Sequence, residues 1–310
     1  MTDTEKLTAL CAANGAEITL NAPLAPLTTF KIGGPCDALI TLQNLDSAKA
    51  VFAFLRENQI PHRLIGRGSN LLVPDEGYAG VVLKLGGQLA NYLALDDDGC
   101  GIHCGAGVSL QKLCQFALEN SLTGLEFAYG IPGSVGGAIF MDAGAYDGDI
   151  SQVLANALVL QPDGLFHSIP AADMDFRYRH SIFMEHPEWI ILNAYFTLKK
   201  GDPEAIRGRM QELIGRRKDK QPLEFPSAGS TFKRPAGSYA SKLIDECGLK
   251  GYTVGGAQVS EKHAGFVINR GGATFADVMS VCAHVRETVQ QQTGFVLDLE
   301  PEILRAESCT

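Results

Sequence analysis

The segment from residue 124 to residue 148 contains seven glycines and one proline among small and apolar residues. So few large side chains cannot form an ordinary hydrophobic core, whereas glycine lets the main chain approach a bound group because no Cβ intervenes. Gly130, Gly133, Gly136 and Gly137 recur at short intervals, so their backbone amides can together surround an anion. We therefore predict that this segment binds a diphosphate rather than forming an ordinary surface loop.

A second glycine-rich stretch lies upstream and follows a short predicted strand. Residues 63–65 lead directly into Gly66-Arg67-Gly68-Ser69-Asn70. This strand-and-turn pattern matches the dinucleotide-binding fingerprint G-x-G-x-x-G only in part. Leu71 stands at its last glycine position, and Pro74 follows where a helix should begin. The sequence therefore predicts a second phosphate-binding turn but supports a Rossmann fold only weakly.

The length and composition indicate a soluble protein of more than one domain. At ~100–200 residues per domain, the chain of 310 residues can form two or three. Hydrophobic residues make up 45% of the chain and charged residues 20%, as in soluble globular proteins. We find no apolar run of about 18 residues that could span a bilayer, and no secretory signal at the N-terminus. We therefore expect a cytoplasmic protein that does not associate with membranes.

The charge balance argues against nucleic acid as a partner. The net charge is −9 and the pI is near 5.3, whereas nucleic-acid binding depends on Lys and Arg that neutralise phosphates. The basic cluster Arg216-Arg217-Lys218 is expected to serve one small anion. Its alternative role is to complement the dipole at the C-terminus of a helix.

The cysteines indicate reduced thiols rather than a disulfide framework, because eight of them are scattered along a long chain expected in the cytoplasm. Cys100, His103 and Cys104 resemble a metal-binding pattern. In a strand, however, the two cysteines face one side and the histidine the other. A structural zinc site needs four converging ligands, so we predict no metal site.

Hydrophobic periodicity predicts a mixture of helices and strands. One predicted helix is capped by Asp46, and another is capped by Ser109 and buries one apolar stripe. The predicted helices cover residues 47–56, 109–118, 203–220, 239–247 and 274–292, and the predicted strands cover residues 63–65, 80–85, 153–160, 189–198 and 295–299.

Taken together, several segments resemble the UDP-N-acetylenolpyruvoylglucosamine reductase family, and they extend over nearly the whole chain in family order. The matching segments are residues 28–35, 66–73, 130–138, 178–183, 228–233 and 262–269. The resemblance implies an α+β fold. In it, a two-part FAD-binding unit of the vanillyl-alcohol-oxidase type (residues 1–85 and 86–217) precedes an α+β substrate-binding domain (residues 218–310), whose final segment returns toward the active site.

The resemblance also implies a reaction with two halves. NADPH gives a hydride to FAD, and the reduced flavin reduces the enolpyruvyl ether of UDP-N-acetylglucosamine enolpyruvate to UDP-N-acetylmuramate, a peptidoglycan precursor. We expect a monomer whose partner is this small nucleotide sugar. Neither glycine-rich turn contains a histidine or cysteine that could tether the flavin, so we expect non-covalent FAD. The residues implied to bind it are Gly66, Arg67, Gly68, Ser69, Asn70, Leu71, Gly130, Ile131, Pro132, Gly133, Ser134, Gly136, Gly137 and Ala138.

Three catalytic residues follow from the resemblance. Arg179 matches the residue that stabilises the enolate, a role suited to a guanidinium that stays charged and grips a carboxylate with two donors. Ser230 matches the proton donor to C2. Glu302 matches the catalytic acid through the local motif Leu-x-x-Glu. Counting from Gly294 without a gap selects Glu300 instead, and we prefer Glu302 because a local motif outweighs spacing across a loop.

Four residues are implied to bind the substrate: Tyr178, Lys220, Lys233 and Arg234. Arg234 stands where many relatives have asparagine and can replace it as a phosphate donor. Asp142 stands where asparagine is usual, and it could either lower the flavin potential or cap a turn. The stretch between residues 179 and 198 is too short for the tyrosine-bearing loop of one family branch, so the chain resembles the branch without it.

Two other functions remain to be distinguished. An FAD-dependent alcohol oxidase of the same fold would be reduced by its substrate and release peroxide. A non-catalytic nucleotide-binding module would explain the glycines, but not the combination of Arg179, Ser230 and Glu302.

Overall fold

A computed structural model describes residues 2–305 of the chain. Met1 and residues 306–310, including Cys309, lie outside the described residues. The N-terminal region contains a four-stranded sheet in the order β1-β2-β5-β3, in which β1 is antiparallel to β2 and the other neighbours are parallel. Its elements are α1 (Asp3–Ala13), β1 (Glu17–Pro23), β2 (Pro35–Leu42), α2 (Leu45–Glu57), β3 (His62–Leu64), β4 (Leu71–Leu72) and β5 (Tyr78–Leu85).

The predicted cap of α2 is wrong by two residues. Asn44, not Asp46, caps the helix, because its side chain accepts a hydrogen bond from the Ser47 N–H at 2.8 Å. The Ser47 hydroxyl accepts in return from the Asn44 N–H at 3.1 Å, which completes a capping box. Asp46 lies in the first turn, where its negative charge suits the helix dipole.

The second region contains a five-stranded antiparallel sheet in the order β12-β11-β13-β7-β6. Helix α4 buries the apolar stripe predicted from its sequence, from Leu110 to Leu118. On β7, Cys104 is buried, whereas His103 lies on the opposite face and stacks on Tyr195. The elements are α3 (Gly87–Asn91), β6 (Leu93–Leu95), β7 (Gly101–Gly105), α4 (Leu110–Glu119), β8 (Leu122–Thr123), α5 (Val135–Phe140), β9 (Gly144–Ala145), β10 (Gly148–Asp149), β11 (Leu154–Leu160), β12 (Phe166–Pro170), β13 (Ile190–Thr197), β14 (Lys199–Lys200) and α6 (Pro203–Lys220).

The third region packs two helices against a small antiparallel sheet in the order β15-β16-β17. The long helix ends where Gly294 adopts a left-handed conformation with φ of 78°. The strand predicted over residues 295–299 is wrong, since only Leu299 forms a bridge there, with Phe232. The elements are α7 (Ala240–Glu246), β15 (Thr253–Val254), β16 (Ala257–Val259), β17 (Val267–Asn269), α8 (Phe275–Thr293) and β18 (Glu302–Ile303).

The last described segment returns to the N-terminal region. Strand β18 pairs in parallel with β4, which directly follows the upstream glycine-rich turn. Phe30, Ile32 and Leu72 of the N-terminal region are buried in the same apolar cluster as the residues of α7 and α8. The α+β class is therefore confirmed. The predicted boundary at residue 217 falls within α6, which ends at Lys220, and no helix within residues 2–305 is long and apolar enough to cross a membrane.

Candidate active site

The two glycine-rich turns meet in the structure, although more than fifty residues separate them along the chain. A Cβ built on Gly66 would lie 2.4 Å from the Ser134 hydroxyl oxygen and 3.9 Å from Cα of Gly137. A Cβ at the first of these distances would displace the Ser134 hydroxyl that caps α5, so glycine at position 66 lets the two turns lie in contact. Gly68 has φ of 62°, and a Cβ there would lie 2.4 Å from the Leu27 carbonyl oxygen.

Several backbone amides of this junction point to no protein acceptor. Within residues 2–305, the N–H groups of residues 66–70 and of Gly130, Gly133 and Ser134 donate no hydrogen bond. Such a set of free donors suits a diphosphate, because it supplies hydrogen bonds without requiring a cationic surface. The junction therefore fits the FAD that the sequence implied.

Two of the predicted donors are not free, which corrects the sequence interpretation. The N–H of Gly136 donates to the Ala106 carbonyl at 2.7 Å, and the N–H of Gly137 donates to the Ser134 hydroxyl at 3.3 Å. Both residues lie in α5, which Ser134 caps. These glycines serve close packing instead, since a Cβ on Gly136 would lie 3.1 Å from Cβ of Ala106.

Arg179 and Glu300 form a half-buried ion pair beside this junction. The Arg179 Nε–H donates to Glu300 Oε1 at 2.9 Å, and its Nη2 donates to the Gly144 carbonyl at 3.3 Å. Only 21% of the Arg179 side chain and 10% of the Glu300 side chain are exposed. Burial raises the pKa of Glu300 above its usual range, although the charges of Arg179 and Lys233 oppose that shift.

The carboxylate beside Arg179 is thus Glu300, the alternative in the sequence analysis, and not the preferred Glu302. The segment from Asp298 to Glu300 pairs without interruption with residues 231–233. Glu302 is exposed and forms no ion pair within residues 2–305. Asn70 connects both positions to the glycine-rich turn: its Nδ2 donates to the Glu300 carbonyl at 3.1 Å, and its carbonyl accepts from the Glu302 N–H at 2.9 Å.

Ser230 belongs to the segment that pairs with Glu300. The carbonyl of the next residue, Thr231, accepts from the Glu300 N–H at 3.0 Å. Within residues 2–305, nothing hydrogen bonds to the half-buried Ser230 hydroxyl. The hydroxyl is therefore available to a bound molecule.

Three of the four predicted substrate residues gather near this centre. The Tyr178 hydroxyl accepts from the Arg234 N–H at 3.3 Å, and the Arg179 guanidinium lies 5.5 Å from the Tyr178 ring centroid. Lys233 is close enough to lower the pKa of Glu300. The Arg234 guanidinium in turn stacks over Tyr239 at 4.6 Å.

Lys220, the fourth, lies close enough to His263 to lower the pKa of that side chain, and His263 lines a cavity that the sequence analysis missed. This cavity has a volume of about 520 Å³ and is lined by Tyr239, His263 and three lysines, together with acidic and small residues. Burial lowers the pKa of His263, and the charges of Lys250 and Lys220 lower it further. His263 Nδ1 accepts from the Gly265 N–H at 3.2 Å, so the proton of the neutral ring lies on Nε2.

Arg217 is a further cation that only the structure reveals. Its neighbour Arg216 pairs with Glu212 at 2.5 Å on the helix surface. Arg217 points inward instead, and a Cβ on Gly130 would lie 3.3 Å from its Cδ. Burial lowers the pKa of Arg217, and no carboxylate within residues 2–305 pairs with it. In the sequence, Arg216 and Arg217 differ only in their position on the helix. That difference was not enough to predict which of the two points inward.

Asp142 behaves as a turn cap. Its Oδ1 accepts from the Ser151 N–H at 3.0 Å, and burial raises its pKa. Of the two roles left open by the sequence, the capping role has a contact in the structure.

Comparisons with known proteins agree with this geometry. The family model of the FAD binding domain matches residues 36–169, and that of the UDP-N-acetylenolpyruvoylglucosamine reductase C-terminal domain matches residues 221–304. UDP-N-acetylenolpyruvoylglucosamine reductase of Caldanaerobacter subterraneus subsp. tengcongensis is 47% identical over 284 residues, which cover 92% of either chain. The reductase of Clostridium beijerinckii is 47% identical over 288 residues, or 93% of this chain and 92% of that protein.

A solved structure has the same fold. The crystal structure of UDP-N-acetylenolpyruvylglucosamine reductase from Thermus caldophilus superposes with a TM-score of 0.78 at 37% identity, covering 93% of this chain and 98% of that one. Identity and coverage of this order leave one assignment: the chain belongs to the UDP-N-acetylenolpyruvoylglucosamine reductase family.

Proposed function

We propose that this chain is an FAD-dependent reductase that uses NADPH to convert UDP-N-acetylglucosamine enolpyruvate to UDP-N-acetylmuramate for peptidoglycan synthesis. One observation carries the proposal. The Arg179–Glu300 ion pair and the Ser230 segment lie beside a junction of free backbone amides that fits a diphosphate. We further propose that the enzyme acts as a cytoplasmic monomer, with domains divided near residues 85 and 217.

FAD would be held by the two glycine-rich turns without a covalent bond. The bound cofactor would supply hydride transfer from NADPH to the enolpyruvyl C3 of the substrate. The free amides of residues 66–70, Gly130, Gly133 and Ser134 would hold its diphosphate. The other residues predicted in these turns would pack against the cofactor, whereas Gly136 and Gly137 would support the site by letting α5 lie close to Ala106 and Ser134.

Arg179 would bind the substrate carboxylate and stabilise the negative charge that develops when C3 receives the hydride. Two of its N–H groups are already used by Glu300 and the Gly144 carbonyl. A guanidinium has five N–H groups, so three remain for the substrate. Glu300 would then be a positioning residue that fixes the guanidinium plane, since its contact is with Arg179 itself.

Ser230 would deliver the proton to C2. A serine hydroxyl is a weak acid, so this step requires a strongly basic carbanion next to it and a group that resupplies the proton. Glu302 is our proposed carboxylic acid. It lies on β18 beside the glycine-rich turn, and its carboxylate has no protein counter-charge within residues 2–305.

The cavity lined by Tyr239 and His263 extends the site in a direction that suits a nucleotide sugar. Arg234 contacts Tyr178 on one side and stacks on Tyr239 on the other, and Tyr239 lines the cavity. Lys233 and Arg234 would therefore lie between the reacting enolpyruvyl group and the nucleotide. Lys220 would hold the diphosphate, because P–O⁻ groups favour cationic donors. The three cavity lysines already pair with Glu224, Asp245 and Glu246.

Arg217 should contribute to cofactor binding. A buried guanidinium without a counter-charge is costly, and Arg217 lies against Gly130 of the proposed FAD site. We expect Arg217→Met to raise the dissociation constant for FAD about 10- to 100-fold, because charged hydrogen bonds contribute about 1.5–3 kcal/mol. Titration of apoprotein, followed by quenching of flavin fluorescence, measures this constant. The matched control is Arg216→Met, since that side chain pairs on the surface. Equal effects of the two variants would contradict a cofactor role for Arg217.

The function itself is tested by visible absorbance under anaerobic conditions. We expect the purified protein to bind FAD, to lose its flavin absorbance on addition of NADPH, and to regain it only when the enolpyruvyl sugar is added. An alcohol oxidase would instead be reduced by an alcohol and release peroxide in air. A nucleotide-binding module would bind without turnover. Failure of the purified protein to bind added FAD would contradict the proposal.

A further inference from the structure

Arg179 occupies a backbone conformation that few non-glycine residues adopt. It has φ of 55° and lies in a two-residue turn between Arg177 and His180. The Arg177 N–H donates to the His180 carbonyl at 3.2 Å, and the His180 N–H donates to the Arg177 carbonyl at 2.9 Å. A positive φ at the second central position of such a turn usually requires glycine or asparagine. The surroundings must therefore impose this conformation on Arg179.

Four side chains hold the base of this turn, and we call them the basal clamp: Asp175, Arg177, His180 and Glu185. Arg177 Nη2 donates to Asp175 Oδ2 at 2.5 Å and lies 2.9 Å from His180 Nε2 and 3.9 Å from Glu185 Oε1. His180 Nε2 lies 3.4 Å from Asp175 Oδ2 and 3.5 Å from Glu185 Oε1. The clamp thus connects both ends of the turn to the residues that precede and follow it.

The centre of the clamp is already occupied by a protein cation. Ligand atoms of Asp175, His180 and Glu185 lie within 4.8 Å of one another, which is a spacing that a metal ion could use. Arg177 Nη2 is within 3.9 Å of all three. Its guanidinium therefore supplies the positive charge between the two carboxylates.

The clamp touches neither Glu300 nor Gly144, the groups that bind the Arg179 guanidinium. It can act on Arg179 only through the backbone of the turn. We propose that the basal clamp is a positioning device that keeps Arg179 in its left-handed conformation and so directs its guanidinium to Glu300. This proposal rests on the catalytic role given to Arg179 above.

The functional test removes the cation at the centre of the clamp. Because Arg177, Asp175 and Glu185 are more than half exposed, each single ion pair is weak, and only their joint loss should free the turn. We expect Arg177→Met to slow the oxidation of reduced flavin by the enolpyruvyl sugar about tenfold, whereas reduction by NADPH stays within about twofold. Arg177→Lys should recover part of the loss. Arg209→Met is the matched control, since it breaks a similar exposed pair with Glu212 on α6.

A double-mutant cycle separates positioning from general damage to the fold. If the clamp acts through Arg179, adding Arg177→Met to Arg179→Lys should change the second half-reaction by less than about twofold. Independent effects that multiply, or an equal loss in both half-reactions, would overturn the proposal. Thermal unfolding of each variant shows whether the chain remains folded.

A spectroscopic measurement tests the same idea without turnover. The ¹⁵Nε–H resonance of Arg179, identified by its disappearance in Arg179→Lys, should exchange slowly with solvent because this group donates to Glu300. Arg177→Met should accelerate the exchange at least about tenfold, and Arg209→Met should leave it unchanged. An unchanged resonance in Arg177→Met would refute the clamp. If the resonance responds but the enolpyruvyl sugar is not a substrate, the proposed function fails and the positioning device stands.

Discussion

Ser230→Ala is expected to slow the oxidation of reduced flavin by the enolpyruvyl sugar about a thousandfold, because a positioned proton donor contributes roughly 10²–10⁴ to a rate. Reduction of FAD by NADPH should stay near the wild-type rate, since it needs no proton at the substrate C2. Within residues 2–305 the Ser230 hydroxyl has no hydrogen bond to lose, so the fold should be preserved.

Stopped-flow absorbance separates the two half-reactions. Ser238→Ala is a suitable control, because it removes a hydroxyl from the same connecting segment without touching the Arg179–Glu300 pair. Equal slowing of both half-reactions by Ser230→Ala would mean that the hydroxyl supports binding or folding rather than proton delivery.

The two carboxylates near the C-terminus should respond very differently to amide substitution. Glu302→Gln removes the proposed acid and should slow the second half-reaction by about 10²–10⁴. Glu300→Gln keeps a hydrogen-bond acceptor for the Arg179 Nε–H and should slow it only about tenfold, through looser placement of the guanidinium.

The same stopped-flow experiment decides between them. The pH dependence of the second half-reaction provides a separate criterion. The limb of the profile that reflects ionisation of the catalytic acid should disappear in the variant that lacks this acid. A larger loss in Glu300→Gln, together with loss of that limb, would identify Glu300 as the acid and reject Glu302. Burial raises the pKa of Glu300, as a general acid requires. This outcome would therefore contradict our proposal for Glu302 most directly.

The parts of the molecule that sequence predicted are those governed by local pattern. The apolar stripe of α4 was predicted correctly, because its period of 3.6 residues can be recognised within one continuous segment. The resemblance implied that both glycine-rich turns bind FAD, and the structure brings them into contact, which Gly66 permits because it has no side chain. The site residues were identified from the family resemblance. Their spacing along the chain alone could not have identified them.

The errors came from contacts that only the folded chain creates. Gly136 and Gly137 were expected to have free amides, yet Ala106 and Ser134 accept their hydrogen bonds. The contact between Glu300 and Arg179 depends on pairing across more than a hundred residues. The inward direction of Arg217 depends on how α6 packs against Gly130, which no local pattern records.

The pairing of β18 with β4 has a consequence for synthesis of the protein. Residues 66–72 leave the ribosome well before their strand partner, which is made more than two hundred residues later. Domains generally fold in order from the N-terminus during translation, so the N-terminal sheet can form while its flavin-binding edge still lacks a neighbour. We therefore expect a chain that is released before β18 is made to fold in part and to bind FAD more weakly than the chain that contains β18.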